Sequence, residues 1–527
     1  MKFRKIYSLL ILSVAFASCD DYLSTLPDNR TQLDTPEKVR DLMSSAYSVG
    51  SPAVICELSS DNFVDNGHEL GSFDRMHDEL FAWQESTASL STPDSPAALW
   101  NHCYSAVAHA NHALQAIDQL EEKQGTSDLL KGLRAEALLC RAYGYFTLVN
   151  TFCQPYVTNE QGGNNLLETQ GVPYTDVPET TVRPDYHRGT LAEAYAHVEN
   201  DLTEVFEKVG VNYLDGIHTV AKYHFGSAAA HAFASQFYLY KGNYEKVIEH
   251  ANQVLGNSPE SMMRDYSTIE LDEVEYIGNW YVKTSQPCNL MIQAFNSAFF
   301  RVFGTRYGHA GIAAAGCLLG DGPNWSDHPP FSKNFYIRNI EYGVIFPKQI
   351  EFFEYSDKVA GIGFVHTVVP VFTAERVLLN RAEAYVHQGE MGKALTDLAL
   401  WTKTHSVPAA LTDGQIKKFY VKNNPYVYNE LHYNVNSLSE EQITYLQCVL
   451  HFRRCETVYE GTRWDDVKRY GIDLSHRIDK KVVEKMSYND VRRAIQIPAD
   501  VISAGLPGNP TIPAQSGENK SEFIFVK

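Results

Sequence analysis

The stretch from Ala221 to Leu255, AKYHFGSAAAHAFASQFYLYKGNYEKVIEHANQVL, constrains the fold more tightly than any other part of the chain. It reads as two helices joined by a tight turn at Lys241-Gly242-Asn243. In the first helix, small residues (Ala228, Ala232, Ser235) alternate with large ones (Phe225, Phe233, Tyr238) at helical spacing, which lets another helix pack closely. In the second, Tyr244, Val247, Ile248, Ala251, Val254 and Leu255 form an apolar stripe, with Glu245, Lys246, Glu249 and Gln253 facing outward. A lone hairpin of this kind cannot bury its own apolar faces, so further copies are expected.

Two more are present. Segment 375–401, ERVLLNRAEAYVHQGEMGKALTDLALW, places Ala382, Tyr385, Gly389 and Ala394 at the spacing of Ser235, Tyr238, Gly242 and Val247. The third copy is split: KGLRAEALLCRAYGYFTLVNTF (131–152) has the first-helix character, and 190–209 supplies a partner face of Leu191, Ala194, Val198, Leu202, Val205 and Val209. This is the tetratricopeptide arrangement. Unrelated hairpins would look the same locally, and either case gives a helical scaffold. A fourth hairpin is expected within 36–120, where Leu99, Cys103, Val107, Ala110, Leu114 and Ile117 share one helical face.

The chain opens MKFRKIYSLLILSVAFASC, a basic front, an apolar run and small residues before a cysteine, which is the grammar of a secretory signal. That run is too short to span a bilayer comfortably, and no later stretch approaches ~18 uninterrupted apolar residues. Phe16-Ala17-Ser18-Cys19 resembles a bacterial lipobox, so residues 1–18 are expected to be removed and Cys19 lipidated. Residues 19–35 then form a tether, and Thr35-Pro36-Glu37 opens the first helix of a single body, 36–527. The other eight cysteines are irregularly spaced and sit mostly in apolar segments, so buried thiols are expected rather than a disulfide framework.

A net charge of −19 argues against nucleic acid and against a polybasic membrane contact. Phosphate-binding, nucleophile-elbow, zinc-protease and dinucleotide motifs are missing. His102, His109 and His112 share a helical face, but no nearby carboxylate on that face completes a metal site. No catalytic activity, metal or cofactor is expected.

Residues 56–87 are polar and aromatic without a clean period and read as an ordered loop region that includes Arg75 and Trp83. The helical period also disappears between about 256 and 372. There NLMIQAF (289–295) reads as a strand, followed by an irregular region with Phe299, Phe300, Tyr307, Trp325 and Phe331 amid Gly and Pro. A long aromatic loop region in a compact domain is usually functional. The expected fold is therefore mainly α. Tetratricopeptide-like hairpins (about 36–255 and 373–471) form a scaffold, with an irregular lobe carrying little strand (about 256–372) and an irregular C-terminal segment (472–527).

Ser439-x-x-Gln442 caps a helix that leads into Arg453, Arg454, Glu456, Tyr459, Glu460, Gly461, Arg463, Trp464, Asp466, Lys468 and Arg469. This run resembles the ERRxELxxEGxRxxDLKR signature of the SusD/RagB family, outer-membrane nutrient-binding lipoproteins of Bacteroidetes. Ile497-Pro498 and Asn509-Pro510 resemble the family's closing segment, 135–152 and 374–395 its internal helices, and Cys19-Asp20-Asp21-Tyr22-Leu23 its export signal. Phe372, Phe452 and Thr457 depart from the pattern. The charged run is expected to be a structural ion-pair network.

The resemblance implies a cell-surface, lipid-anchored protein of the outer membrane that binds glycan and passes it to a SusC-like TonB-dependent transporter. Capture of peptides or proteins, as by RagB, and a tetratricopeptide assembly scaffold remain alternatives. It further implies aromatic ligand contacts from both loop regions: Trp83, Trp325, Tyr307 and Phe300, with Arg75 bonding hydroxyls. Trp325 lies in Asp321-Gly-Pro-Asn-Trp-Ser-Asp, a turn expected to hold it at the surface. The helical face is expected to meet the transporter.

Overall fold

A computed structural model describes residues 32–158, 165–179, 185–302, 306–311, 313–326, 330–331, 335–339, 343–405, 407, 409–424 and 426–512. The expected signal peptide, Cys19 and most of the tether lie outside the described residues.

The helices start where side chains can cap them. Thr35 accepts the Lys38 amide at α1 (Pro36–Met43), which has Pro36 in its first turn. After α2 (Ala53–Ser59), Asp74 caps α3 (Arg75–Phe81). Ser95 caps the long α4 (Pro96–Gln124), and Ser127 caps α5 (Asp128–Phe152). A Thr190–Glu193 capping box opens α6 (Leu191–Thr203), which runs on into a π-helical turn, Glu204–Val209. The chain then forms α7 (Ser227–Lys241), α8 (Tyr244–Leu255) and the short α9 (Val274–Tyr281). Next come α10 (Ala374–His387), α11 (Met391–Thr404) and α12 (Asp413–Phe419). A Ser439–Gln442 capping box begins α13 (Glu440–Glu456), and α14 (Thr462–Tyr470) and α15 (Ala499–Ser503) follow.

All three hairpins read from the sequence are present. Gly242 turns α7 into α8 in the left-handed conformation (φ 80°), and Gly389 (φ 77°) does the same between α10 and α11. The split copy closes by packing α5 on α6. At the N-terminus the expected hairpin takes another form: α1 lies across α4, and α4 pairs with α5. From there α8 meets α10 and α10 meets α13, so the pairs share one core. Rings of Tyr143, Phe225, Phe233 and Phe372 gather at centroid separations of 5.4–6.3 Å, which accounts for an apolar residue at position 372. All eight described cysteines are unpaired and buried.

Strand is sparse, and among the described residues no sheet exceeds three strands. A two-residue ladder pairs β1 (Val64–Asp65) with a strand far along the chain. β2 (Asn289–Phe295) matches the strand read from the sequence; the distant partner of β1 is β3 (Tyr307–Gly308). β4 (Ile337–Asn339) and β5 (Gly343–Ile345) pair with each other. β6 (Glu351–Asp357) and β7 (Ile362–Thr373) form a long hairpin that joins β2 in the order β2-β7-β6. A last hairpin, β8 (Leu474–Ile478) and β9 (Val482–Met486), lies in the C-terminal segment.

Two regions depart from the sequence reading. The supposed loop at 56–87 begins within buried α2 and contains α3; both are about two turns long, too short to show a period. The 351–373 hairpin went unread because Phe353, Tyr355, Ile362 and Phe364 stand half exposed, so polar and apolar residues do not alternate.

The charged C-terminal run is a buried network, as expected. Glu383 of α10 is fully buried and accepts hydrogen bonds from Arg453, from Arg469 at 2.9 Å and from the Tyr470 hydroxyl. Asp466 takes a further Arg469 bond at 2.6 Å. Glu456 accepts from Trp401 Nε1 at 2.9 Å and contacts His405 Nε2 at 2.8 Å.

Candidate functional site: a polar cleft beside Tyr426

The β1–β3 ladder sets Val64 opposite Gly308 and Asp65 opposite Tyr307, so the N-terminal loop region and the central lobe converge on one face. Asp65 makes that junction rigid. It accepts from Arg306 Nε at 2.8 Å and Nη2 at 2.5 Å, from the Gly67 amide at 2.8 Å, and from the Asp479 amide of the β8–β9 turn at 2.6 Å.

Between these segments opens a cleft of about 700 Å³. Asp61, Asn66, Tyr428, Asn429, Glu430 and Arg477 are among its lining residues. A second recess of about 490 Å³ adjoins it, sharing Gly311 and Tyr426 and adding Asp321, Phe419 and Asn424. Tyr426 stands at the junction and is 50% exposed, the only large ring there with so free a face among the described residues. Another described cavity, about 90 Å³ between Tyr143, Phe146, Arg376 and Glu460, has room for only a few waters.

The signature arginines brace the floor of this cleft. Arg463 holds Asp61 through Nε at 2.7 Å and Nη2 at 2.9 Å, while Arg454 donates to Asn62 Oδ1 at 2.8 Å and to the Asp61 carbonyl at 2.7 Å. Burial works against ionising Asp61, but Arg454 and Arg463 hold its carboxyl well below the usual carboxylate range. Burial likewise opposes the Cys317 thiolate, yet Arg454 and His451 bring that thiol, on the cleft floor, down to about 7. Asn66 Nδ2 is buried and has no hydrogen-bond partner among the described residues.

Two of the residues expected to touch ligand stand behind the cleft wall instead. Trp83, 7% exposed, stacks on His476 at 4.1 Å and donates to the Ser59 carbonyl at 2.8 Å; Phe81 covers the other face of His476 at 4.2 Å. Tyr307, 1% exposed, packs on Phe81 at 4.7 Å and bonds Asp78 at 2.7 Å. Phe81 and His476 both line the cleft, which places Trp83 and Tyr307 directly behind its wall.

The polar turn does not hold Trp325 at the surface. At 5% exposure its indole packs on His451 and Phe452, and Nε1 reaches the Gly320 carbonyl at 3.1 Å. The turn wraps around the ring so tightly that a Cβ at Gly322 would come within 2.1 Å of it. Trp325 thereby pins the loop that carries Asp321 to the recess. Arg75, its side chain 80% exposed, pairs with Glu79 on α3. Phe300 is half buried on a short 3-10 turn and is not among the cleft-lining residues. Sequence reasoning missed Tyr426, Phe419 and Arg477, which lie in short polar stretches with no periodic signal.

Residues 21–239 match a SusD-like family model described as "starch-binding associating with outer membrane". No curated protein matches the chain. Among solved structures, a SusD superfamily protein from Bacteroides thetaiotaomicron aligns with a TM-score of 0.59 at 17% identity, covering 90% of this chain and 100% of its own. A SusD-like carbohydrate binding protein from Bacteroides vulgatus aligns at 0.56 and 14% identity, over 89% and 96% of the two chains. A laminarin binding SusD-like protein aligns at 0.53 and 15% identity, over 90% and 98%. This is the SusD fold. The fold that the resemblance implied is borne out, and the family match takes in the internal helix at 135–152. The signature residues do not face the cleft as free groups; Arg454 and Arg463 build it by anchoring the 57–66 segment. Among the described residues no helix is long and apolar enough to cross a membrane.

Proposed function

We propose that the chain is a non-catalytic glycan-binding protein whose ligand lies in the cleft beside Tyr426. The half-exposed Tyr426 ring, set among Asn66, Asn424, Glu430, Asp321 and Arg477, is the observation that carries this reading. A sugar ring offers an apolar C–H face to a flat aromatic and hydroxyls to amides, carboxylates and guanidinium groups, so a cleft of this composition suits it. The family description of starch binding and the laminarin-binding neighbour support the same ligand class. Trp83, Tyr307 and Trp325 act here by fixing the cleft walls, while Arg75 and Phe300 stand as outer contacts for a longer chain.

Anchoring through a lipid on Cys19 places the cleft at the surface of the outer membrane, and a SusC-like TonB-dependent β-barrel receives the glycan. The helical scaffold, a broad rigid surface, is its docking side. The test is a panel of soluble glucans, other polysaccharides and peptides titrated against the purified protein. Binding of a glycan, weakened about tenfold or more (~1.4 kcal/mol) by Tyr426→Ala, is expected. Binding of peptides alone would replace this reading with peptide capture.

A further inference from the structure

A second cluster lies away from the cleft, between α5 and the segment that leads into α7. Glu136 of α5 has a fully buried side chain, yet its described partners include no lysine or arginine. Its Oε2 lies 2.8 Å from His218 Nε2 and its Oε1 2.8 Å from His224 Nδ1. The Tyr47 hydroxyl donates to Oε1 at 2.8 Å and accepts the Phe225 amide at 2.7 Å. The imidazoles lie face to face, 3.5 Å apart and 6° from parallel, and both are partly exposed to solvent. Cys140, one turn along α5 from Glu136, closes the apolar side.

The described partners of the buried Glu136 carboxyl are thus two imidazoles and a hydroxyl, none of them a permanently charged group. A divalent cation at the mouth of the pair would supply the missing charge. The ligand atoms of Glu136, His218 and His224 all lie within 4.8 Å of one another.

We propose that Glu136, His218 and His224 form a zinc(II) site that clamps the 214–225 segment to α5. Two imidazole nitrogens with one carboxylate oxygen suit a borderline transition ion, whereas calcium and magnesium take oxygen ligands. Zinc bonds of ~2.0–2.2 Å at tetrahedral angles set donors ~3.4 Å apart, wider than the present 2.8 Å contacts. The ion therefore takes the place of two N–H···O bonds and swings the stacked rings apart. His218 lies in a bend just after Gly216 (φ 92°) and His224 just after a short 3-10 turn, so the rings open without disturbing α5. The protons facing the carboxylate move to the outer ring nitrogens, His218 Nδ1 and His224 Nε2; each imidazole that starts protonated releases one proton. Tyr47 is a positioning residue that orients the carboxylate. The trio His68, Glu69 and Asp479, its first two members exposed, is a poorer candidate, because Lys480 pairs with Glu69 and Lys481 with Asp479.

The test uses the full chain, purified without a histidine tag, stripped with chelator and titrated with zinc chloride by calorimetry, with metal content measured by mass spectrometry. One zinc per chain is expected, with a rise in melting temperature. His218→Ala/His224→Ala should abolish both. Tyr47→Phe should weaken binding by roughly 10–100-fold, and His102→Ala/His109→Ala should leave it unchanged. If the double variant fails to fold, X-ray absorption of the zinc-loaded native chain decides: imidazole scattering from two histidines supports the site, and its absence overturns it. Zinc bound equally by native chain and folded double variant, or not bound by the native chain, also overturns it.

Discussion

Replacing Glu383 by glutamine removes the charge at the centre of the C-terminal network while keeping its shape. In the native chain two carboxylates, Glu383 and Asp466, face two guanidinium groups, Arg453 and Arg469, all buried. Glu383→Gln leaves one uncompensated positive charge there. Breaking such a pair from one side costs about 3–5 kcal/mol, and urea unfolding at pH 7 should show a loss of that size. The pH dependence gives a second reading. Burial opposes ionisation of Glu383, yet Arg453 and Arg469 hold its carboxyl well below its ordinary 4.5. Its folded pKa is thus depressed, so its contribution is present above pH 4.5 and is lost as pH falls further. The variant lacks this titration, so its stability should converge on the native value in acid. Glu456, brought down to about 2 chiefly by His405 and Lys348 against the cost of burial, adds the same trend in both proteins. A loss under about 1 kcal/mol at pH 7, or a constant gap down to pH 3, would refute the view that Glu383 is the keystone of this network.

Gly389→Ala forces a Cβ into a left-handed turn (φ 77°) with no neighbour within 4 Å, so backbone strain alone should cost about 1 kcal/mol in a denaturation curve; an unchanged midpoint would contradict the hairpin geometry. Burial holds His231 at about 4 and His250 at about 3, with their Nδ1 atoms 2.9 Å apart. Both folded values lie below the ordinary 6.5, so stability should be full above pH 6.5 and decline as pH falls toward 4; His231→Gln/His250→Gln should flatten that decline, and an unaltered slope would count against it. Cys19→Ala should release the protein from the membrane fraction, since only a lipid on that residue is proposed to hold it there; fatty-acid labelling that persists in the variant would overturn the anchor.

The helical scaffold was legible because each hairpin carries its own local grammar: small residues for close packing, a glycine for the left-handed turn, a stripe on the second helix. The split pair α5 and α6 could be matched across a loop for the same reason. Buried charge at the C-terminus was readable as a network, although its partner Glu383 came from another repeat. The cleft was legible in its region and not in its residues. Loops around Trp83 and Tyr307 do converge, but through a two-residue ladder that no periodicity announces. Whether a large ring faces solvent depends on what covers it. His476 covers Trp83 from far along the chain, and the Gly320–Trp325 turn folds over its own indole. Tyr426 remains uncovered, in a short stretch that reads only as loop. The Glu136 cluster was equally hidden, since its histidines lie in irregular chain between two repeats.

Calorimetric titration of the native chain and of Tyr426→Ala with the tightest glycan from the panel tests the central claim most directly. The account predicts a folded variant, with an unchanged circular dichroism spectrum, that binds at least about tenfold more weakly (~1.4 kcal/mol). Equal affinity in the two proteins would place the glycan elsewhere and contradict the assignment of the cleft.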